Sequence, residues 1–429
     1  MQTLWPDLRY YKGKRETRAA FTPTVWLTLI LIGAFSSPVW PAGQAVSRRQ
    51  GKAKKTAGAN ETPERFVYQL PNATRVTVRK NLEYRRIDGL PLRFDFYRLP
   101  AAEQPGALPV VIVLNGFGDP QLKESVYQRE WARLSAASGF AGVTYESHRA
   151  GLAEDLDLLV AYLRANQNQL GVNANRVIVH ASSGNVLFSL PILMDKQRTY
   201  LKGAVIYYGA GEVKEFRADL PMLFVRAGLD QPNLNRDIDK LVARALAASA
   251  PVEVISYPGG HHPFEVEDDN DFSRAVLART LAFMRQAASP GVHETLRSAR
   301  DEAAAGAALL TENWAAALEG YGNLAAQRPQ DAELQRRYAD ALFGAREYAR
   351  AAQAYEQAYA LGHWRKRDIA YPAALAALRA NDAASALRWI ERLVKTPFDR
   401  ASLLTDPNFE VLRDNAQFRA LAEKKPEGR

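Results

Sequence analysis

Residues 176–185 read RVIVHASSGN, and the prediction of the fold starts from this stretch. A short apolar run ends in small polar residues, and residues 186–193 (VLFSLPIL) then continue as an apolar segment with helical character. Short continuous apolar runs are typical of strands that are buried on both faces of a sheet. The stretch therefore predicts a strand, a tight turn and a helix.

Similar runs recur on both sides of this stretch, separated by helical spacings such as those in residues 156–163. The runs are PVVIVL at 109–114, FAGVTY at 140–145, AVIYY at 204–208, LFV at 223–225 and VEVISY at 252–257. Before them, alternating residues at 75–86 and 90–97 flank Asp88-Gly89, a strong hairpin signal. Strands that alternate with helices predict an α/β domain with a mostly parallel sheet and helices on both faces.

Three predicted loops carry the residue types of a nucleophilic triad. They contain, in chain order, serines in HASSGN at 180–185, an aspartate in RAGLD at 226–230 and histidines in PGGHHPF at 258–264. Each loop follows a predicted strand, and in parallel sheets functional sites form beyond the carboxyl ends of the strands. The order Ser, Asp, His is that of α/β-hydrolases.

Residues 65–288 resemble the α/β-hydrolase fold and, within it, dienelactone-hydrolase-like serine hydrolases. The resemblance is carried by VVIVLNGFGD at 110–119, RVIVHASSGN at 176–185, LFVRAGLD at 223–230 and YPGGHHPF at 257–264. Relatives of this kind hydrolyse esters or lactones without a metal or an organic cofactor. The resemblance therefore implies a small-molecule ester or lactone substrate, no metal and no cofactor.

The resemblance implies that the nucleophile is Ser183 or Ser182. A nucleophile on a strained strand-to-helix turn needs small residues two positions before and after it. For Ser183 the departure from this pattern is Asn185, whereas Ser182 would place the bulkier His180 two residues before the nucleophile. We therefore expect Ser183, although neither choice has the usual pair of glycines. A helix start in which the serines act only as caps is the alternative.

The acid and the base follow from the same comparison. Asp230 directly follows a predicted strand and could orient an imidazole, although an aspartate before a turn with proline is often only a turn former. The YPGGHHPF spacing places His262 on the general base of the family, with His261 as the second choice. Paired histidines could instead bind a metal, but no H-x-x-x-H or H-x-H partner accompanies them.

The loop NGFG at 115–118 stands where the family forms its oxyanion hole. By resemblance, the N–H groups of Phe117 and Gly184 would be the donors that bind the developing negative charge. His148 ends another predicted strand, where substrate contact and a plain surface loop are equally compatible with the sequence. The candidate pocket residues are Asn115, Gly116, Gly118, His148 and His261.

From about residue 291 the sequence becomes rich in alanine and the strand signals end. Trp314, Ala317 and Tyr321 match Tyr348, Ala351 and Tyr355 at an offset of 34, and a third copy starts near Ala383. This period and the W-x-x-A-L-x-x-Y pattern resemble tetratricopeptide repeats, which implies a helical repeat domain over residues 291–424. Such a module would dock a protein partner or a second copy of the chain. A helical bundle without a ligand is the alternative.

The net charge of +9 does not indicate nucleic-acid binding, because residues 1–60 contain ten basic and two acidic residues and leave only +1 for residues 61–429. Residues 1–45 have the order of a secretory signal, with a basic start, an apolar run at 25–35 and small residues at the end. Residues 46–64 then form a flexible basic linker. The chain has no cysteine, which suits an oxidising compartment. We expect a periplasmic or secreted protein, or an inner-membrane anchor if the signal is not cleaved.

Together these patterns predict an exported serine hydrolase that acts through a Ser-His-Asp triad and an acyl-enzyme, with a repeat module for docking. One alternative is an α/β-hydrolase scaffold that has lost activity and serves as a binding or assembly protein of the cell envelope. A peptidase is another alternative, because the same triad cleaves amides.

Overall fold

The computed structural model describes residues 65–104 and 106–423. The predicted signal at 1–45 and the predicted linker at 46–64 lie outside the described residues. No helix in the described ranges is long and apolar enough to cross a membrane. Strands and helices alternate as far as Ala287, and the residues from Pro290 onward that the structure describes contain helices and no strand.

A single eight-stranded sheet forms the centre of the first part. Its strands are β1 (Thr77–Ile87), β2 (Leu90–Arg98), β3 (Leu108–Val113), β4 (Ala141–Tyr145), β5 (Val172–Ser182), β6 (Leu201–Tyr207), β7 (Met222–Ala227) and β8 (Val252–Tyr257). They are ordered β1-β2-β4-β3-β5-β6-β7-β8, and β2 is antiparallel to both of its neighbours while the pairs from β4 to β8 are parallel. This is the sheet of an α/β-hydrolase. The predicted fold class is confirmed.

The hairpin predicted at Asp88-Gly89 connects β1 to β2. Asp88 has φ 49° and Gly89 has φ 81°, so both central residues of the turn have positive φ. This conformation matches the twist of the two strands and is the one that favours the Asp-Gly sequence. Ile87 consequently pairs with Leu90 across the turn.

Strand β5 begins earlier than the apolar run at 176–179 predicts. Leu108 and Pro109 of β3 pair with Val172 and Asn173, and the register then shifts before Val110. The polar residues at the start of β5 give no strand pattern in the sequence. They are strand only because they pair with β3.

Helices cover both faces of the sheet and bury two apolar cores. Val110 and Ile112 of β3 pack into one core, and Val111 and Val113 pack into the other; none of the four is more than 3 % exposed. Each buried aliphatic side chain contributes about 1.5–3 kcal/mol, so the two cores hold the sheet in place. The helices are α1 (Val126–Ala137), α2 (Leu152–Ala165), α3 (Gln167–Leu170), α4 (Asn185–Met194), α5 (Pro232–Ala247), α6 (Phe264–Glu267) and α7 (Asp271–Ala287).

The helical part contains α8 (Pro290–Leu310), α9 (Trp314–Gln327), α10 (Ala332–Gly344), α11 (Tyr348–Ala360), α12 (Lys366–Arg379), α13 (Ala383–Leu393), α14 (Ser402–Thr405) and α15 (Ala416–Glu423). Helices α9, α11 and α13 begin at the residues where the three sequence copies begin. Tyr321 and Tyr355, which occupy matching positions of two copies, are 3 % and 1 % exposed and belong to the core. The helical nature of this part is therefore established, and its assignment to the tetratricopeptide family stays a prediction.

The last described residues form a 3-10 helix, Pro407–Leu412, followed by the α-helix α15. Asp406 caps the 3-10 helix by accepting a hydrogen bond from the Asn408 N–H at 2.8 Å, and it also accepts one from the Tyr371 hydroxyl at 2.7 Å.

Candidate active site

Ser183 lies at the sharp turn between β5 and α4 and has φ 56°. A positive φ is uncommon for a residue other than glycine and indicates local strain. The turn is held because the Ser183 N–H donates to the Tyr207 carbonyl at 2.9 Å and the Ser183 carbonyl accepts from Val186 at 3.0 Å. Ser182, in contrast, is the last residue of β5 and pairs regularly with Tyr207. Of the two candidate serines, Ser183 has the backbone conformation of a nucleophile elbow.

Two glycines leave room for this turn. A Cβ atom on Gly209 would lie 2.5 Å from the Ser183 carbonyl oxygen and 2.4 Å from Val186 Cγ2. A Cβ atom on Gly184 would lie 2.5 Å from Cζ of Phe117. The segment that follows β6 and the loop at 115–118 therefore both pack directly against the turn.

The side chain of Asn185 connects the turn to the loop at 115–118. Its Oδ1 accepts a hydrogen bond from the Gly116 N–H at 2.7 Å. Asn185 occupies the position two residues after Ser183, where the sequence departs from the small residue of the family. The structure explains this departure, because the larger side chain holds the backbone of the loop.

Asn115 is fully buried, and it shapes the loop from inside. Its Nδ2 donates to the carbonyl of Asp119 at 2.7 Å and to that of Tyr145 at 3.2 Å. Among the described residues, no acceptor is bound by the N–H groups of Phe117 and Gly184, the two predicted oxyanion donors. Two backbone donors on adjacent segments are therefore free for a ligand.

His262 and Asp230 form a hydrogen-bonded pair. Nδ1 of His262 donates to Oδ2 of Asp230 at 2.6 Å, and the two side chains are 26 % and 5 % exposed. Oδ1 of Asp230 accepts from the Gln231 N–H at 2.7 Å, so the carboxylate is held at both oxygens. A carboxylate in this place fixes the tautomer with the proton on Nδ1 and leaves Nε2 as the basic atom.

His261 has its own carboxylate partner. Its Nδ1 donates to Oδ1 of Asp268 at 2.7 Å, its N–H donates to Oδ2 at 2.8 Å, and its side chain is 55 % exposed. The two adjacent histidines therefore bind different carboxylates instead of sharing one ligand. No group of three or more His, Asp or Glu side chains in the described ranges could hold a metal ion.

The residues that follow β6 lie between the serine and the histidine. The Tyr208 ring packs against the His262 imidazole with 4.2 Å between ring centroids, and the next residue, Gly209, contacts the Ser183 backbone. Ser183, Asp230 and His262 are thus gathered at one edge of the sheet. The Ser183 hydroxyl itself has no hydrogen bond within the described residues. Such contacts are often long in free enzymes and tighten when substrate binds.

His148 pairs with Asp155 and with none of the three triad candidates. Its Nδ1 donates to Oδ2 of Asp155 at 2.6 Å, while Oδ1 of the same carboxylate accepts from Arg85 at 2.6 Å. The turn after His148 nevertheless lies close to the predicted oxyanion loop, because a Cβ atom on Gly118 would lie 2.3 Å from the Arg149 nitrogen. His148 therefore contributes to the wall of the site through its backbone.

A groove of about 470 Å³ runs along α4 and the start of α2. It begins beside the elbow, since Phe188 in its wall contacts the Phe117 ring with 5.6 Å between centroids. Its wall is mostly apolar and also includes the charged residues Arg149 and Glu154; the lining residues are 149–154, Leu187, Phe188, Pro191 and Ile192. A cavity of about 520 Å³ lies at the other end of β5, remote from the three triad candidates.

Comparison with known proteins gives a family match over part of the chain. Residues 189–289 match the model of the dienelactone hydrolase family. That segment includes Asp230 and His262, but it begins after Ser183 and the loop at 115–118. No curated protein matches the sequence of this chain.

Solved structures resemble about half of the chain. A fungal esterase from Rhizomucor miehei is 16 % identical over 50 % of this chain and 84 % of its own, with a TM-score of 0.40. A putative dienelactone hydrolase from Klebsiella pneumoniae is 19 % identical over 49 % of this chain and 99 % of its own, with a TM-score of 0.39. Brefeldin A esterase, a bacterial homologue of human hormone sensitive lipase, is 16 % identical over 52 % of this chain and 81 % of its own, with a TM-score of 0.42.

Proposed function

We propose that this protein is a serine hydrolase of carboxylic esters or lactones, with Ser183 as nucleophile, His262 as general base and Asp230 as the acid that orients the base. Two observations carry the proposal: the 2.6 Å pair between His262 and Asp230, and the positive φ of Ser183 at the turn after β5. The match of residues 189–289, a segment that includes Asp230 and His262, to the dienelactone hydrolase family supports hydrolase activity on esters.

In this mechanism the Ser183 hydroxyl attacks the carbonyl carbon while Nε2 of His262 takes its proton. The carbonyl oxygen becomes negative and is bound by the N–H groups of Phe117 and Gly184. The tetrahedral intermediate then collapses, and His262 returns the proton to the leaving alkoxide. Water, activated by the same imidazole, attacks the acyl-enzyme and releases the acid. With a lactone, the alcohol and the acid are parts of one product.

A fluorophosphonate probe tests the proposal. We expect covalent labelling of the wild-type protein, loss of labelling in Ser183→Ala and retention of labelling in Ser182→Ala, which serves as the matched control. Labelling that survives both substitutions would exclude the serine mechanism. A wild-type protein that is folded but does not react would favour the alternative of an inactive scaffold. A panel of p-nitrophenyl esters of increasing chain length then measures the acyl group that the groove accepts.

We also propose that the protein is exported, because residues 1–45 begin with basic residues, continue with an apolar run and end with small residues. Expression of the full chain with a carboxy-terminal tag, followed by fractionation and amino-terminal sequencing, tests this. Cleavage after Ala45 is expected. An intact amino terminus in the membrane fraction would instead support an uncleaved anchor.

A further inference from the structure

Glu265 is an acid buried beneath the candidate active site, in α6 and three residues after His262. It is 0 % exposed. Its Oε1 accepts hydrogen bonds from the Tyr208 hydroxyl at 2.6 Å and from Trp131 Nε1 at 3.4 Å. Its Oε2 has no partner among the described residues. An incompletely satisfied carboxyl in an aromatic core requires an explanation.

Stability does not explain this acid. Burial raises the pKa of Glu265 to about 7, although its hydrogen bonds from Tyr208 and Trp131 act in the opposite direction. A buried carboxyl with these properties destabilises the fold once it ionises, and an apolar side chain would fill the same space at lower cost. Strongly perturbed acids in such positions are more typical of functional sites.

The partner of Glu265 connects it to the general base. Tyr208 is fully buried, has φ 32°, and is held by its N–H to the Val225 carbonyl at 2.7 Å. Its ring packs on the His262 imidazole at 4.2 Å with 49° between the ring planes. Asp230 holds this imidazole by one edge only, and a ring held by one hydrogen bond can still tilt. The Tyr208 ring supplies the contact on its face.

We propose that Glu265 is a positioning residue for the general base: it holds the Tyr208 hydroxyl, and the Tyr208 ring restricts the tilt of the His262 imidazole, which must be oriented to take the proton of Ser183. This inference rests on the proposed serine hydrolase function. When ionised, Glu265 also places a negative charge behind Tyr208, where it favours the imidazolium that forms as Ser183 loses its proton.

Several elements contribute titratable groups to the surroundings of Glu265. Asp268 follows it in the chain and raises its pKa, and the hydroxyls of Tyr207 and Tyr208 come from the end of β6. The remaining titratable groups of this region are His180 on β5, which packs on Trp131 and Tyr207, and Tyr127 on α1, which acts on Tyr208. A pH effect assigned to Glu265 must therefore disappear in a variant of Glu265 itself.

Two variants test the link, and a third is the matched control. Tyr208→Phe keeps the ring and removes the hydroxyl, and Glu265→Gln keeps an acceptor oxygen and removes the charge. Thr280→Val removes the hydrogen bond between Tyr207 and Thr280, which measures 2.6 Å in the same core and includes neither Glu265 nor Tyr208. The rates of p-nitrophenyl acetate hydrolysis and fluorophosphonate labelling are measured from pH 5 to pH 9, together with thermal unfolding.

We expect kcat to fall about tenfold in Tyr208→Phe with KM changed less than twofold, because a misoriented base slows the chemical step. Glu265→Gln should lose a rise in rate of about threefold that the wild-type protein shows as pH passes through 7. Thr280→Val should keep the wild-type pH profile. Equal losses in all three variants would show a merely structural role and overturn the inference, as would unchanged kcat and pH profile in Tyr208→Phe and Glu265→Gln.

A second readout is independent of activity. The pH dependence of the His262 ring resonance, assigned by its loss in His262→Gln, should differ between the wild-type protein and Glu265→Gln, whereas Thr280→Val should keep the wild-type dependence. If the wild-type protein neither hydrolyses esters nor reacts with the probe, the proposed function fails, and this resonance still decides the link. A resonance that is insensitive to Glu265→Gln overturns the inference even in an active enzyme.

Discussion

The two adjacent histidines and their separate carboxylates provide a sharp test of the site. Asp230 binds Nδ1 of His262 at 2.6 Å, and Asp268 binds Nδ1 of His261 at 2.7 Å. Asp230→Asn and Asp268→Asn therefore each remove one charge from a histidine–carboxylate pair. The two pairs have similar geometry, and their histidines are adjacent in the sequence. If His262 is the base, only Asp230→Asn should greatly reduce the rate.

The size of the effect follows from the pair. Two unit charges about 4 Å apart interact by about 4 kcal/mol at an effective dielectric constant of 20. That interaction stabilises the imidazolium of the transition state and is lost in Asp230→Asn, which corresponds to a fall of about a thousandfold. The amide also favours the wrong tautomer, because its N–H₂ group donates to Nδ1 and leaves the proton on Nε2. The loss in kcat should therefore be at least a thousandfold.

The assay is hydrolysis of p-nitrophenyl acetate at pH 7.5, with circular dichroism to verify folding. Asp268→Asn should keep kcat/KM within about threefold of wild type, since His261 is half exposed and its carboxylate lies outside the triad. The assignment of the base would be refuted if Asp230→Asn kept more than a tenth of the activity. It would pass to His261 if Asp268→Asn showed the thousandfold loss instead.

Three further predictions concern buried groups near the site. Burial raises the pKa of Glu265 to about 7, so its contribution to stability is complete below pH 4.5 and is lost as pH rises through 7. Urea unfolding should therefore show that the wild-type protein loses about 2 kcal/mol more unfolding free energy between pH 5.5 and 8 than Glu265→Gln does. Burial lowers the pKa of His180 to about 3, so its contribution is present above pH 6.5 and is lost as pH falls; His180→Phe should gain about 2 kcal/mol at pH 5 relative to pH 7.5, and an equal effect at both pH values would contradict this. Asn185→Ala removes the acceptor of the Gly116 N–H and should lower kcat about tenfold or more with little change in KM, and an unchanged kcat would show that the loop holds its shape without Asn185.

Most of the sheet was predictable because its signal is local. Continuous apolar residues at 109–114 predict a strand, and the structure has β3 at Leu108–Val113. The Asp88-Gly89 turn was predictable for the same reason, since two residues determine its backbone. The early start of β5 was not predictable from its own residues, because Val172 and Asn173 become strand only through pairing with Leu108 and Pro109.

In the candidate site, too, the residues with a local sequence signal were predicted and those that depend on contacts between segments were not. Asp230 and His262 were found because each follows a recognisable strand in a fixed order along the chain. Asn185, Tyr208 and Glu265 were missed, since their importance lies in contacts across segments: Asn185 with Gly116, and Tyr208 with both its neighbours. Glu265 had no local signal in the sequence, because other acids follow it in EVEDDND at 265–271.

The distribution of strain and buried charge supports a site that is built for chemistry. Ser183 and Tyr208 both have positive φ and directly follow the neighbouring strands β5 and β6, and the Tyr208 ring packs on the His262 imidazole. Strained backbone and a buried acid each destabilise the fold, and a scaffold that only binds a partner requires neither at this edge. Their coincidence around His262 therefore favours the hydrolase over the inactive scaffold. This preference has a consequence that can be measured: replacing Glu265 by an apolar side chain should stabilise the protein above pH 7 and slow it at the same time.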